Sequence, residues 1–139
     1  AYVKTTPNKS QSYAGVVVGK TYSTTKLINV KVVNSQVVNN WQCGGMVGFA
    51  ENAQVSFENC VVEDSHFGGY SATAGSFFGL GIVDIQLNGC IARNIQLYTD
   101  SLTWSSTAKA NGNFYVGHLY GKTLTANNCQ EENVTVVNK

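Results

Sequence analysis

The sequence predicts an all-β fold: a parallel β-helix (β-solenoid) of about four coils with about 30 residues per coil. Three observations predict it. The same columns of residues recur in the same order every 30 residues. β-Branched residues dominate and alternate with a period of two, with no apolar stripe at helical spacing. Asn and Gly stand at the fixed points where the alternation breaks. The solenoid domain so defined covers 13–139, carries an inserted loop at 98–113, and follows an N-terminal arm at 1–12.

Aligned on an Asn-Cys corner, four segments fall into step: "GVVVGKTYSTTKLINVKVVNSQVV", "GMVGFAENAQVSFENCVVEDSHF", "GSFFGLGIVDIQLNGCIARNIQL" and "FYVGHLYGKTLTANNCQEENVTV". The anchors are Val30, Cys60, Cys90 and Cys129, spaced 30, 30 and 39 residues, the last interval lengthened by the insertion. Each repeat begins with a glycine-led wall, marked by Gly19, Gly48, Gly79 and Gly117. A second strand shows Thr25, Val55, Ile85 and Leu124, then Leu27, Phe57, Leu87 and Ala126, to one side. The pairs Ile28-Asn29, Glu58-Asn59, Asn88-Gly89 and Asn127-Asn128 then form a corner, where left-handed backbone is tolerated. A third strand runs from the anchor to Val32, Val62, Ala92 and Glu131. Asn34, Asp64, Asn94 and Asn133 mark a second corner and stack as a ladder of polar side chains. The coil closes with "SQVV", "SHFG", "IQLY" or "VTVV". An antiparallel sandwich explains many short strands but not a constant column order.

Composition narrows the function. Charged residues make up 12% of the chain, about half the usual share, and the net charge is +1. No broad field draws the chain to nucleic acid or anionic lipid. No apolar run approaches the ~20 residues of a membrane helix, so no membrane insertion is expected. The segment "AYVKTTPNKS" lacks the apolar core of a signal peptide. Low charge with abundant Asn, Ser and Thr fits an extracellular or cell-surface setting.

Individual residues read mostly as structural. Four cysteines invite a disulfide framework, but Cys60, Cys90 and Cys129 share a column with Val30 and are expected as free, buried, packing thiols. Parallel in-register side chains also make poor bridge geometry. Cys43 stands outside the column as a single structural thiol. His66 and His118 form no catalytic set, and no cofactor or metal spacing is present. Glu63 and Arg93 share an outward column and read as a surface ion pair. The outward column Lys31, Val61, Ile91, Gln130 is apolar at its middle and is expected to be covered. Sequons at Asn8 and Asn133 are candidate glycosylation sites. The inserted loop either folds back to cover the side of the solenoid or presents Trp104 as a candidate binding residue for a glycan or partner protein, and Trp41 is a corner aromatic.

The segments "CGGMVGFAENAQVSFENCVVEDS" and "AGSFFGLGIVDIQLNGCIARN" resemble the glycine-rich GLUG-type repeats of secreted and cell-surface proteins. They also look like coils of pectin-lyase-like parallel β-helices. The resemblance covers roughly residues 13 to 138. It implies surface display, adhesion or the building of extracellular structures. The first coil departs from it in having Val30 for Cys, and the last in having Ala126 and Glu131 in core columns.

Two functions follow as expectations. The first is a non-enzymatic extracellular structural or adhesive module, a self-assembling fibre subunit that pairs through solenoid ends or the N-terminal arm. The alternative is a carbohydrate-binding or carbohydrate-active β-helix, which requires Glu51, Asp84, Asp100 and Trp104 to gather around one groove. An ice-binding solenoid fits less well, because no Thr column extends beyond "TYSTT".

Overall fold

The computed structural model describes residues 1–4, 12–39, 41–69, 73–99, 115–120 and 122–138. Among these the chain is all-β. In chain order the strands are β1 (Tyr2–Lys4), β2 (Tyr13–Gly15), β3 (Val18–Thr21), β4 (Thr25–Ile28), β5 (Lys31–Val33), β6 (Gln36–Val38), β7 (Gln42–Gly44) and β8 (Val47–Glu58). They continue with β9 (Val61–Gly68), β10 (Thr73–Gly75), β11 (Phe78–Asn88), β12 (Ile91–Thr99), β13 (Val116–Leu119), β14 (Leu124–Asn127) and β15 (Gln130–Asn138).

Three sheets result, and their strand pairs are parallel. Sheet A runs β1-β6-β9-β12-β15, with β5 also on β9. Sheet B runs β10-β7-β2, and sheet C runs β13-β11-β8-β3, with β4 on β8 and β14 on β11. The chain passes from B to C to A in that order three times, then through C and A once more. Short corners separate the sheets, so each sheet receives a new strand per pass.

The register is that of the sequence columns. Val55 pairs with Ile85, and Phe57 with Leu87. Ile85 pairs with Leu124, and Leu87 with Ala126. At the anchors the amides of Val61, Ile91 and Gln130 donate to the carbonyls of Val30, Cys60 and Cys90 at 3.0, 3.0 and 2.9 Å. The 39-residue interval therefore costs nothing in register: β14 and β15 pair in step with β11 and β12. One irregularity lies within β8, where Glu51 pairs with Ile82 but Gln54 with Asp84. The extra residue is taken up at Asn52, whose φ is 58°, as a bulge requires.

Both corners form as the Asn content demands. Asn29, Asn59, Gly89 and Asn128 have φ of 57°, 51°, 66° and 53° at the first. Asn34, Asp64, Asn94 and Asn133 have 50°, 53°, 55° and 52° at the second. This left-handed region is costly for most L-residues, and Asn, Asp and Gly tolerate it.

The glycine column marks a close approach of two backbones. Gly19, Gly48, Gly79 and Gly117 lie within or beside sheet C strands, and the first wall is the sheet B strand that precedes them. A Cβ on Gly48 would sit 2.6 Å from the Ala14 nitrogen, and one on Gly79 would sit 2.7 Å from the Cys43 nitrogen. The two backbones pass in direct contact, and no side chain fits between them.

Side chains from all three sheets meet in one core cluster. Ala14, Cys43 and Ala74 come from sheet B, Phe57, Val83 and Leu87 from sheet C, and Val62, Phe67 and Leu97 from sheet A. Rings stack along it, with Phe57 5.5 Å from Phe77 and Phe77 6.0 Å from Tyr115. Burying each such side chain contributes about 1.5–3 kcal/mol. The four cysteines are free thiols, with Cys43, Cys60 and Cys90 buried and Cys129 half-buried. Burial pushes the Cys43 and Cys90 thiols up to about 12, which suppresses the reactive thiolate. A thiol reagent applied to the native protein near pH ~8 should label Cys129 first and spare Cys43, Cys60 and Cys90 until unfolding. Mass spectrometry of the labelled peptides checks the order, and early labelling of Cys60 would contradict this packing.

Candidate functional site

The least satisfied parts of the described molecule are its two strand edges. At one, here the head, β3, β4 and β5 are paired on one side only, and β1 closes the rest of sheet A. At the other, the tail, β13, β14 and β15 are paired on one side only. Leu27 and Val30 at the head, and Leu124, Ala126, Cys129, Val134 and Val136 at the tail, are apolar yet only partly buried against the core. These are the terminal members of columns whose inner members are sealed: Leu27 and Ala126 end one column, Val30 and Cys129 another. Glu131 is the charged member of the column Val32, Val62, Ala92, Glu131, and it sits half-exposed at the tail.

The outer face of sheet A carries a charged column. The Lys31 ammonium meets Glu63 at 3.0 Å, Arg93 meets Glu63 at 3.4 Å, and Arg93 also meets Glu132 at 3.3 Å. The signs alternate from head to tail. Glu63 is the enclosed member at 17% exposure, whereas Lys31 and Glu132 at the ends are 58% and 69% exposed. The sequence shows the Glu63–Arg93 pair; the participation of Lys31, reaching diagonally from the neighbouring column, was not evident from it. Exposed pairs of this kind contribute about 0–1 kcal/mol each. Val61 and Ile91 in the adjacent column are half-buried.

The corner ladder is continuous where amides meet. Asn94 donates to Asp64 at 3.0 Å, and Asn133 donates to Asn94 at 2.9 Å. The Asn133 nitrogen, through which a sequon glycan is linked, is the donor in that bond. A buried serine ladder runs beside it: the Ser65 hydroxyl accepts from the Ser35 amide at 3.0 Å and donates to the Glu63 carbonyl at 2.8 Å. These serines replace the aliphatic residues Ile95 and Val134 of later passes, and each satisfies its hydroxyl locally.

On the outer face of sheet C, Lys26, Gln54, Ser56, Asp84, Gln86 and Thr123 line a shallow groove. Asp84 accepts from the Thr123 amide at 3.0 Å and its hydroxyl at 3.2 Å. Glu51 is close in register, paired with Ile82. Asp100, Trp104 and Asn8 lie outside the described residues. Trp41 is partly exposed. His66 is exposed with its ring 6.3 Å from Tyr98, and His118 packs edge-on against Tyr120 at 4.3 Å. Among the described residues, no three His, Cys, Asp or Glu are placed to hold a metal ion.

In comparisons with known proteins, the chain matches no family model, no curated protein and no solved structure.

The bonds from the Thr123 amide and hydroxyl hold the Asp84 carboxyl below its ordinary range. A depressed carboxyl stabilises the fold above its unfolded value, about 3.9, and the effect fades as pH falls through the folded value. The native chain should therefore melt higher than Asp84→Asn at neutral pH, and the gap should close in acid as the carboxylate is protonated. Thermal midpoints across pH check this; a gap independent of pH would refute it.

Proposed function

We propose that the three sheets are the walls of a β-solenoid of about four coils, and that the chain is a non-enzymatic structural or adhesive module that associates end to end, outside the cell or on its surface. The observation that carries this reading is the match between the two edges. Head and tail end the same columns, so a second copy placed head on tail repeats the packing found inside one chain. Leu27 of one copy would cover Ala126 of the other, and Val30 would cover Cys129. Free strand edges are ready templates for such pairing. A heterologous contact of this kind repeats without closing and builds a filament.

Charge supports one polarity. In head-to-tail stacking Gln130 faces Lys31 and Glu132 faces Val33 of the next copy, which leaves Lys31 diagonal to Glu132, as it is to Glu63 within the chain. Head-to-head contact would set Lys31 against Lys31, and tail-to-tail contact would set Glu132 against Glu132. The other charges of the column are tied to one another, and Asp84 is tied to Thr123, rather than converging on a cleft. Low charge and the resemblance to surface-protein repeats support the extracellular setting. Buried thiols withstand an oxidising environment.

Sedimentation velocity and electron microscopy over a concentration series test the reading. Oligomers that grow by single-subunit steps are expected. Leu124→Asp should abolish them, and Glu131→Ala should promote them by removing a charge from an inward column. A chain that stays monomeric at millimolar concentration would sink this reading.

The groove on sheet C favours a second reading, carbohydrate binding. Its hydroxyl, amide and carboxylate groups suit a polyol, and the exposed Tyr22, Ile82 and Tyr120 lie on the same sheet or at its border. A glycan array probed with the native chain and with Gln86→Ala tests it. Binding lost in the variant supports it; no binding by the native chain removes it.

A further inference from the structure

We propose that the edge of β6 at Gln36–Val38 is the docking site for β15 of a second copy, and that β1 holds this site within the single chain. The inference rests on the end-to-end reading above and names the contact that regulates it. β1 lies parallel to β6, with Tyr2 on Gln36, Val3 on Val37 and Lys4 on Val38. β15 lies on β12 in the same manner, with Thr135 on Gln96, Val136 on Leu97 and Val137 on Tyr98. Between them Val37 pairs with Phe67, and Phe67 with Leu97. Val3, Val37, Phe67, Leu97 and Val136 are therefore one inward column, with Val3 and Val136 at its two ends.

A second copy that continues the register brings its Val136 to Val37, the position Val3 fills. A strand accepts one neighbour on each edge, so β1 and the incoming β15 compete. Where described, the N-terminal segment pairs with its own chain and occupies the position an incoming β15 would take.

The contest is unequal. β1 has three residues and β15 has nine. Tyr2 is 63% exposed and Val3 is only partly buried. Beside β1, the edge of β5 at Lys31–Val33 carries no strand among the described residues. An incoming β15 can engage that edge first through Gln130–Glu132, with Gln130 opposite Lys31 and Glu132 diagonal to it. It then displaces β1 from one end, a strand exchange that never leaves the β6 edge bare. Docking by strand addition draws its affinity from main-chain hydrogen bonds and its specificity from alternate side chains, and here both contenders offer a valine to the same column.

The test uses the full chain. Val3→Asp expels β1 from the inward column without touching either partner strand, and Val3→Ala weakens it more mildly. Sedimentation velocity should show the concentration for half-assembly falling about tenfold in Val3→Asp, the order of one valine burial, and less in Val3→Ala. Excess synthetic peptide of sequence AYVKTTPN, added to Val3→Asp, should raise that concentration again. Circular dichroism confirms that each variant is folded; if Val3→Asp is not, the comparison of Val3→Ala with the native chain decides. Native chain and variants assembling at the same concentration would overturn the competition while leaving end-to-end association intact. Failure of all of them to assemble would overturn the end-to-end reading itself.

Discussion

Parallel backbone pairing of β8 with β11 and of β9 with β12, in a register of 30 residues that becomes 31 only ahead of the Asn52 bulge, is the constraint on which the rest depends. In-register pairing sets like positions about 4.8 Å apart, so each column must be filled by side chains that tolerate their own kind. Inward columns meet this with Val, Phe, Ile, Leu, Ala and Cys. Cysteine serves as a small apolar residue, its sulfur donating weakly to carbonyls of the same or the preceding pass, as Cys60 does to Leu27 at 3.3 Å. A slip of one residue would turn every inward side chain to solvent. Pairing is therefore regained after the one-residue shift at Asn52, and again in β13.

The same stacking governs the polar groups. Like charges at that spacing would repel, and the outward charges alternate in sign from Lys31, in the neighbouring column, through Glu63 and Arg93 to Glu132. Amide side chains can donate to and accept from their own type, so the corner column can stay nearly uniform from Asn34 to Asn133. The backbone makes a matching demand, because the corner needs positive φ in every pass. Asn meets both demands at once.

An architecture made by addition has no internal reason to stop. The core is sealed in the middle passes and thins toward both edges, where Val30 and Cys129 are only partly buried although Cys60 and Cys90 are fully so. Two local features oppose further addition. Glu131 puts a charge into an inward column at the tail, and β1 fills part of the sheet A edge at the head.

The columns were legible in the sequence because burial repeats with the backbone: Phe57 and Leu87, or Cys60 and Cys90, answer the same environment one pass apart. The corners were legible because positive φ admits few residue types. Less could be read where an element is too short to show a period. β2, β7 and β10 have three residues each, with one side chain apiece, Ala14, Cys43 and Ala74, in the core, and no alternation can appear in one residue. Contact of the Gly48 and Gly79 backbones with sheet B, the diagonal reach of Lys31 to Glu63, and the docking of Val3 under Val37 depend on how separate strands meet in space. The sequence by itself determined the repeat, its period and its inward faces; the tertiary structure alone decided which edges are open and which segment closes one of them. The physical reason is that a column is a property of position along the chain, whereas an edge is defined by the neighbour that is missing.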